Sequence, residues 1–194
     1  MRSFARWTPA YVIDRLATLH FRRKWAETVP LFAVGAIQFL ERYLTKTDRV
    51  FEYGCGFSTV WLAKRVGAII SVDDDCIWYD RIRPLLPPSA ELLFANSKNA
   101  EGNIAIESDY IDTIKAYERE SFDLVIIDGQ ARAYTAVAAL DRVKKGGILC
   151  WDDFGESSER TEADIVLQFV AAVKGWRRAF FDDGTHWTAL YFKP

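Results

Sequence analysis

An α/β fold, with a mostly parallel sheet doubly wound by helices, is predicted by three features of the chain. From Arg49 onward, short apolar runs of strand length alternate with longer amphipathic stretches, the pattern of a parallel sheet buried on both faces. A glycine loop, Gly54-Cys55-Gly56, follows the first of these runs and leads straight into a helical stretch. An acidic run, Asp73-Asp74-Asp75, closes the second.

The elements follow in order. Thr8 and Pro9 read as an N-cap and first helical position, and Tyr11, Ile13, Leu16 and Leu19 recur at roughly helical spacing, which predicts a helix from Pro9 to about His20. A second helix follows Pro30, carried by Leu31, Val34, Ile37, Phe39, Leu40 and Leu44. Residues 1–48 thus form a helical N-terminal extension, a lid or a partner-facing element, ahead of a domain spanning 49–194. Strands are predicted at Val50 to Tyr53, Ala68 to Val72, Leu92 to Ala95, Leu124 to Ile127, Ile148 to Trp151, Arg178 to Phe181 and Thr188 to Phe192. Helices are predicted between them at Ser58 to Val66, Ile77 to Leu85, Tyr110 to Tyr117, Tyr134 to Val143 and Thr161 to Val173. About six residues, including Asp182, Asp183 and Gly184, separate the last two strands. A parallel crossover needs a dozen or more, so this pair is an antiparallel hairpin.

Composition narrows the class. The 194 residues are 50% hydrophobic and 27% charged, which suits one compact domain, with or without a small appendage, and excludes disorder over most of the length. A net charge of -2 and a pI near 5.8 give no strong positive field for nucleic acid. The longest uncharged run, Thr28 to Leu40, is too short to span a membrane, which takes about 20 apolar residues. Residues 1 to 25 hold six Arg and Lys but no uninterrupted apolar stretch of a secretory signal. Cys55, Cys76 and Cys150 form no C-x-x-C pair, so neither a disulfide framework nor a thiolate zinc site is expected. The expected location is cytoplasmic.

In open α/β sheets, ligands sit beyond the carboxyl ends of strands, where loop glycines let the backbone approach. The loop Glu52-Tyr53-Gly54-Cys55-Gly56-Phe57-Ser58-Thr59 has that position, with spacing G-x-G-x-x-T. Thr59 replaces the third glycine of the dinucleotide fingerprint. Glu52, two residues before the first glycine, would repel a pyrophosphate and suit a ligand whose matching end is an ammonium group. S-adenosylmethionine is such a ligand. Asp73 lies 21 residues after Glu52, where a carboxylate can accept from both hydroxyls of a ribose. Asp75 is placed as the N-cap of the next helix.

Glu52 to Thr59, Ser71-Val72-Asp73-Asp74-Asp75 with Trp78-Tyr79, and Phe122 to Gly129 with Arg132 together resemble the class I S-adenosylmethionine-dependent methyltransferases. The resemblance covers about Arg49 to Phe192. It implies a Rossmann-like, seven-stranded, mostly parallel sheet with an antiparallel last strand. It also implies that Glu52, Gly54 and Gly56 surround the methionine moiety, Asp73 holds the ribose, Asn96 lies near the adenine, and Asp128 faces the methyl group. The expected cofactor-binding set is therefore Glu52, Gly54, Cys55, Gly56, Ser58, Thr59, Asp73, Asp74, Asn96 and Asp128.

Methyl transfer demands little beyond positioning the acceptor and removing its proton. Asp128 is the leading candidate for that orientation or base role, with Arg132 in the polar loop behind it and His186 at the start of the last strand as further catalytic candidates. Asp152 and Asp153 bring two more carboxylates to the same rim, and with Asp128 they resemble the divalent-metal site of catechol-type O-methyltransferases. Asp153 departs from that pattern, and no metal is assigned. The expected acceptor is a small molecule or glycan methylated at oxygen. Nucleic acid ranks below it, and a homodimer is compatible with the sequence. The rival readings are a non-catalytic binding subunit of the same fold and an NAD-linked oxidoreductase.

Overall fold

The computed structural model describes residues 29–154 and 163–194. Within them the order is α1 (Val34–Tyr43), β1 (Arg49–Tyr53), α2 (Phe57–Ala63), β2 (Ala68–Asp73), α3 (Cys76–Ile82), β3 (Ala90–Phe94), α4 (Asp109–Asp112), β4 (Phe122–Ile127), α5 (Arg132–Ala139), β5 (Val143–Asp152), α6 (Ala163–Ala172), β6 (Arg177–Asp182) and β7 (Trp187–Phe192). The seven strands form one sheet in the order β3-β2-β1-β4-β5-β7-β6. Strands β1 to β5 pair in parallel, and β7 runs antiparallel to both β5 and β6. The switch in strand order lies between β1 and β4, the crevice where such sheets receive ligands.

The central strands are apolar because both faces are covered. Phe51, Tyr53, Val125, Ile127, Leu149 and Trp151 pack on one side, with Phe169 of α6 and Ala133 and Ala136 of α5. Val50, Leu124, Ile126, Ile148 and Cys150 pack on the other with α1 and α2. Ala36, Ile37 and Leu40 of α1 lie in that second cluster, so this helix is fastened to the sheet by its own apolar face.

Several boundaries move from the sequence expectation for local reasons. The helix expected to reach Val143 stops at Ala139. Val143, β-branched, instead pairs with Phe122 across a register shift and opens a longer β5. Gly146, at φ 77°, and Gly147, whose added Cβ would lie 2.9 Å from the Asp123 carbonyl, let the strand bend there. The helices expected to end at Leu85 and Tyr117 finish in 3-10 turns, Arg83–Leu85 and Thr113–Ala116. The helix expected at Pro9 to His20, and the start of the one expected from Thr161, lie outside the described residues. Among the described residues no helix is long and apolar enough to cross a membrane.

Candidate active site

A cavity of about 480 Å³ opens at the carboxyl ends of β1, β2 and β4, within the range of about 300–1,000 Å³ usual for small-molecule sites. Its wall includes Gly54, Cys55, Gly56, Phe57, Ser58, Asp73, Asp74, Trp78, Ile104, Asp128, Gly129 and Arg132. Of the sequence-predicted residues, it gathers the glycine loop, the two β2 acids, Asp128 and Arg132. Glu52, Thr59, Asn96 and His186 are not part of this wall.

The loop is shaped by backbone contact. Gly54 has φ 90°, and a Cβ on it would stand 2.8 Å from the amide nitrogen of Gly129. A Cβ on Gly129 would stand 1.9 Å from the Tyr110 hydroxyl. The β1 and β4 loops therefore touch glycine against glycine, an approach that no side chain permits. Gly56 differs, because a Cβ there meets nothing closer than Ser58 Oγ at 3.7 Å. Its backbone is bare toward the cavity.

Glu52 lies beneath this loop, fully buried. Ser58 Oγ and Thr59 Oγ1 each donate to its carboxyl at 2.6 Å, and Ser71 Oγ donates to it as well. Burial pushes its pKa up to about 7, against the three hydroxyl bonds. The ligand-facing charge expected of Glu52 thus has no surface to act through: strand alternation turns the side chain inward, and it orders the loop from below. Thr59 shares that task, since its hydroxyl also accepts from the Gly56 amide at 3.0 Å.

Asp73 is the wall carboxylate that holds the loop from the β2 side. It accepts from the Cys55 amide at 2.5 Å and from the Asp75 amide at 2.8 Å. Burial raises its pKa, and the two amides oppose the rise. The Cys55 thiol is pushed up by burial first and Asp73 second, so it stays protonated. Asp74 accepts from Ser97 Oγ, and Asp75 caps α3 by accepting from Ile77 N at 2.8 Å, as the sequence reading has it. Asn96 is exposed and folds back on its own turn, bonding both backbone groups of Lys98.

At the β4 and β5 ends the acids face one another. Burial raises Asp128, Arg132 opposes that, and Asp153 adds to it. Its side chain is nevertheless 25% exposed into the cavity, and its salt-bridge partner, Arg132, stands at 3.5 Å. Asp152 is 1% exposed and raised well above the usual carboxylate range by burial, then by Asp128. Thr188 Oγ1 donates to it at 2.5 Å and itself accepts from the Ala33 amide at 2.9 Å. Asp153 is lowered by hydrogen bonding to His186, whose Nδ1 stands 3.6 Å away. Arg132 ties the group together, donating to the Gly129 carbonyl at 3.1 Å and the Asp152 carbonyl at 3.0 Å, with Asp153 at 3.6 Å.

The metal-like trio of the sequence reading is rearranged. Among the described residues, the acids and histidine with ligand atoms within 4.8 Å of one another are Asp152, Asp153 and His186, without Asp128. One Asp152 oxygen is taken by Thr188, and the Arg132 guanidinium supplies the local positive charge.

The wall residues the sequence reading missed are Phe57, Gly129, Trp78 and Ile104. Trp78, half open at 37% exposure and edge-on to Phe57 at 6.3 Å, carried a signal: a large aromatic in the first turn after an acidic strand end. Ile104 carried none, because it arrives from a loop remote in sequence.

Bare glycine backbone, a wall carboxylate at the β2 end and apolar faces at Trp78 and Ile104 fit a nucleoside with an amino-acid tail. A family model described as a methyltransferase domain matches residues 51–154, more than half of the chain. No curated protein matches it. Among solved structures, an rRNA methylase from Streptococcus thermophilus is 18% identical, with a TM-score of 0.57 over 80% of this chain and 92% of that one. A methyltransferase-like protein from Silicibacter pomeroyi is 20% identical, with a TM-score of 0.56 over 87% and 91%. A Streptococcus mutans protein assigned as a methyltransferase and solved in complex with SAH is 17% identical, with a TM-score of 0.56 over 81% and 94%. At these identities the likeness is one of fold, and it agrees with the family match in sheet and site position. The chain belongs to the methyltransferase-domain family and is a class I S-adenosylmethionine-dependent methyltransferase.

Proposed function

We propose that the protein methylates a small-molecule or glycan-like acceptor at oxygen, with Asp128 orienting the acceptor hydroxyl and taking its proton. The observation that carries this reading is the state of Asp128: open to the cavity, raised by its surroundings, and held only weakly by Arg132. A carboxylate so placed is a better base than an ordinary one, because its proton affinity lies nearer neutrality. S-adenosylmethionine, when bound, supplies an electrophilic methyl group. Gly54, Gly56 and Ser58 would pass its amino-acid tail, and Asp73 and Asp74 would meet its ribose. Arg132 keeps Asp128 on the cavity wall, while His186 acts at one remove through Asp153.

Among the described residues, four aspartates line the cavity, Asp73, Asp74, Asp75 and Asp128, against one arginine, Arg132. That sign disfavours a phosphate backbone, so the likeness to an rRNA methylase is not extended to the acceptor. A cytoplasmic location belongs to the same reading, in keeping with three free thiols.

Calorimetric titration with S-adenosylhomocysteine and with NADH tests the cofactor half. Micromolar binding of the first and none of the second is expected, and Asp73→Asn should weaken the first by about tenfold or more, one charge-assisted hydrogen bond being worth roughly 1.5–3 kcal/mol. A screen of hydroxylated acceptors with radiolabelled donor tests the other half. Methyl incorporation that survives Asp128→Asn undiminished would remove the proposed base.

A further inference from the structure

The cofactor cavity is more acidic and more apolar at its mouth than its ligand requires. S-adenosylmethionine brings one net positive charge, whereas the described wall carries four aspartates against Arg132. Two large apolar side chains stand open on the same wall, Trp78 and Ile104, each 37% exposed, and Ile77 beside Trp78 is 75% exposed. An isolated exposed isoleucine needs no explanation, but an apolar group clustered on an acidic cleft marks a binding surface.

The chain itself enters at this mouth. Val29, where the described residues begin, lines the cavity, and Leu31 lines it too. The 28 residues ahead of Val29 include Trp7, Tyr11, Phe21 and Trp25 and carry six Arg and Lys against Asp14 and Glu27. Their composition is complementary to the mouth in both respects, aromatic for apolar and basic for acidic. Trp25 is four residues from Val29, within about 14 Å at roughly 3.5 Å per residue, and the Arg22-Arg23-Lys24 run adjoins it on that tether. So short a tether gives an effective concentration in the millimolar range, enough for a modest contact surface to stay occupied.

We propose that the apolar, acidic mouth of the cofactor cavity is the docking surface for the chain's own residues 1–28, with Trp25 meeting Trp78 and Ile104 and the Arg22-Arg23-Lys24 run meeting Asp74 and Asp75. The proposal takes the cavity's location from the cofactor reading but does not depend on which ligand fills it. Docking would enclose the bound ligand and leave the acceptor to enter on the Asp128 side.

Hydrogen exchange on the full chain, with no ligand added, tests it. Trp25→Ala, and separately Arg22→Glu with Arg23→Glu and Lys24→Glu, should each speed exchange of the mouth segments 55–58, 76–78 and 103–105 by at least about threefold. Reversal of Arg177 and Arg178, which lie on the edge strand at the opposite end of the sheet, should not. In the native chain, raising salt from about 0.05 to 0.5 M should produce a smaller change of the same sign, because exposed charge pairs are screened; this arm needs no variant and decides the matter should a variant fail to fold. Mouth exchange that stays within a factor of two of native under all three treatments would overturn the proposal. A parallel titration should show S-adenosylhomocysteine bound about tenfold more weakly by the triple reversal. If the native chain binds none, the cofactor reading falls, while the exchange result still decides the docking.

Discussion

The two halves of the site use the same residue type in opposite ways. At the β1 and β2 ends each acid is consumed by donors: Glu52 by three hydroxyls, Asp73 by two backbone amides, Asp75 by the first turn of α3. At the β4 and β5 ends, Asp128, Asp152 and Asp153 crowd one another, and Arg132 is shared among all three. The first half spends its carboxylates on shaping a loop. The second stores unmet proton affinity beside the cavity, which costs stability and suits chemistry.

Substitution of the loop glycines should break the first half outright. Gly129→Ala places a Cβ against the buried Tyr110 hydroxyl and the Gly54 backbone. It should cost about 3 kcal/mol, the upper range for overpacking, and abolish S-adenosylhomocysteine binding. Gly56→Ala is the contrast: with open space around it it should unfold at the native urea midpoint yet still lose affinity. Equal stability losses in the two variants would show that the glycine contact is not what shapes the loop.

A smaller effect should follow pH. The folded-state pKa of Glu52, about 7, lies above its ordinary value of 4.5, so the folded chain holds the proton more tightly. The stability linked to this group is full below about pH 4.5 and is lost as pH rises through 7, by roughly 2 kcal/mol between pH 5 and 8 at 1.36 kcal/mol per unit. Glu52→Gln should flatten that part of the slope in urea titrations at several pH values. A slope that persists undiminished would assign it to the other half, to Asp128 and Asp152.

The smallest effect separates the halves by charge. Arg132→Gln removes the guanidinium shared by Asp128 and Asp153, and because the group is partly exposed the loss should be about 1 kcal/mol at pH 8. It should shrink at pH 5, where protonated carboxyls no longer need the cation. A loss that grows on acidification would contradict the account of the crowded rim.

The alternation of short apolar runs with amphipathic stretches was enough to read the sheet, because strands buried on both faces leave uninterrupted runs such as Leu124 to Ile127. The six-residue gap before Thr188 likewise settled the hairpin, since no crossover fits it. The β5 start was not legible: Val143 continues a helical period with Val137 and Leu140, and its pairing with Phe122 wins only once β4 stands beside it. Within the site, Gly54, Gly56 and Asp73 announced themselves by position after a strand. Glu52 announced a charge but not its direction.

What the sequence determined by itself is the order of elements, the family resemblance and the location of the ligand loop, all of which depend on local period and spacing. Only the tertiary structure decided which carboxylates face the cavity and which are consumed beneath it. That Glu52 lies under three hydroxyls, that Gly129 abuts Gly54, and that Arg132 is divided among three aspartates are contacts between segments far apart in the chain. Burial and charge at those positions are properties of the assembled neighbours, so no single stretch of sequence encodes them.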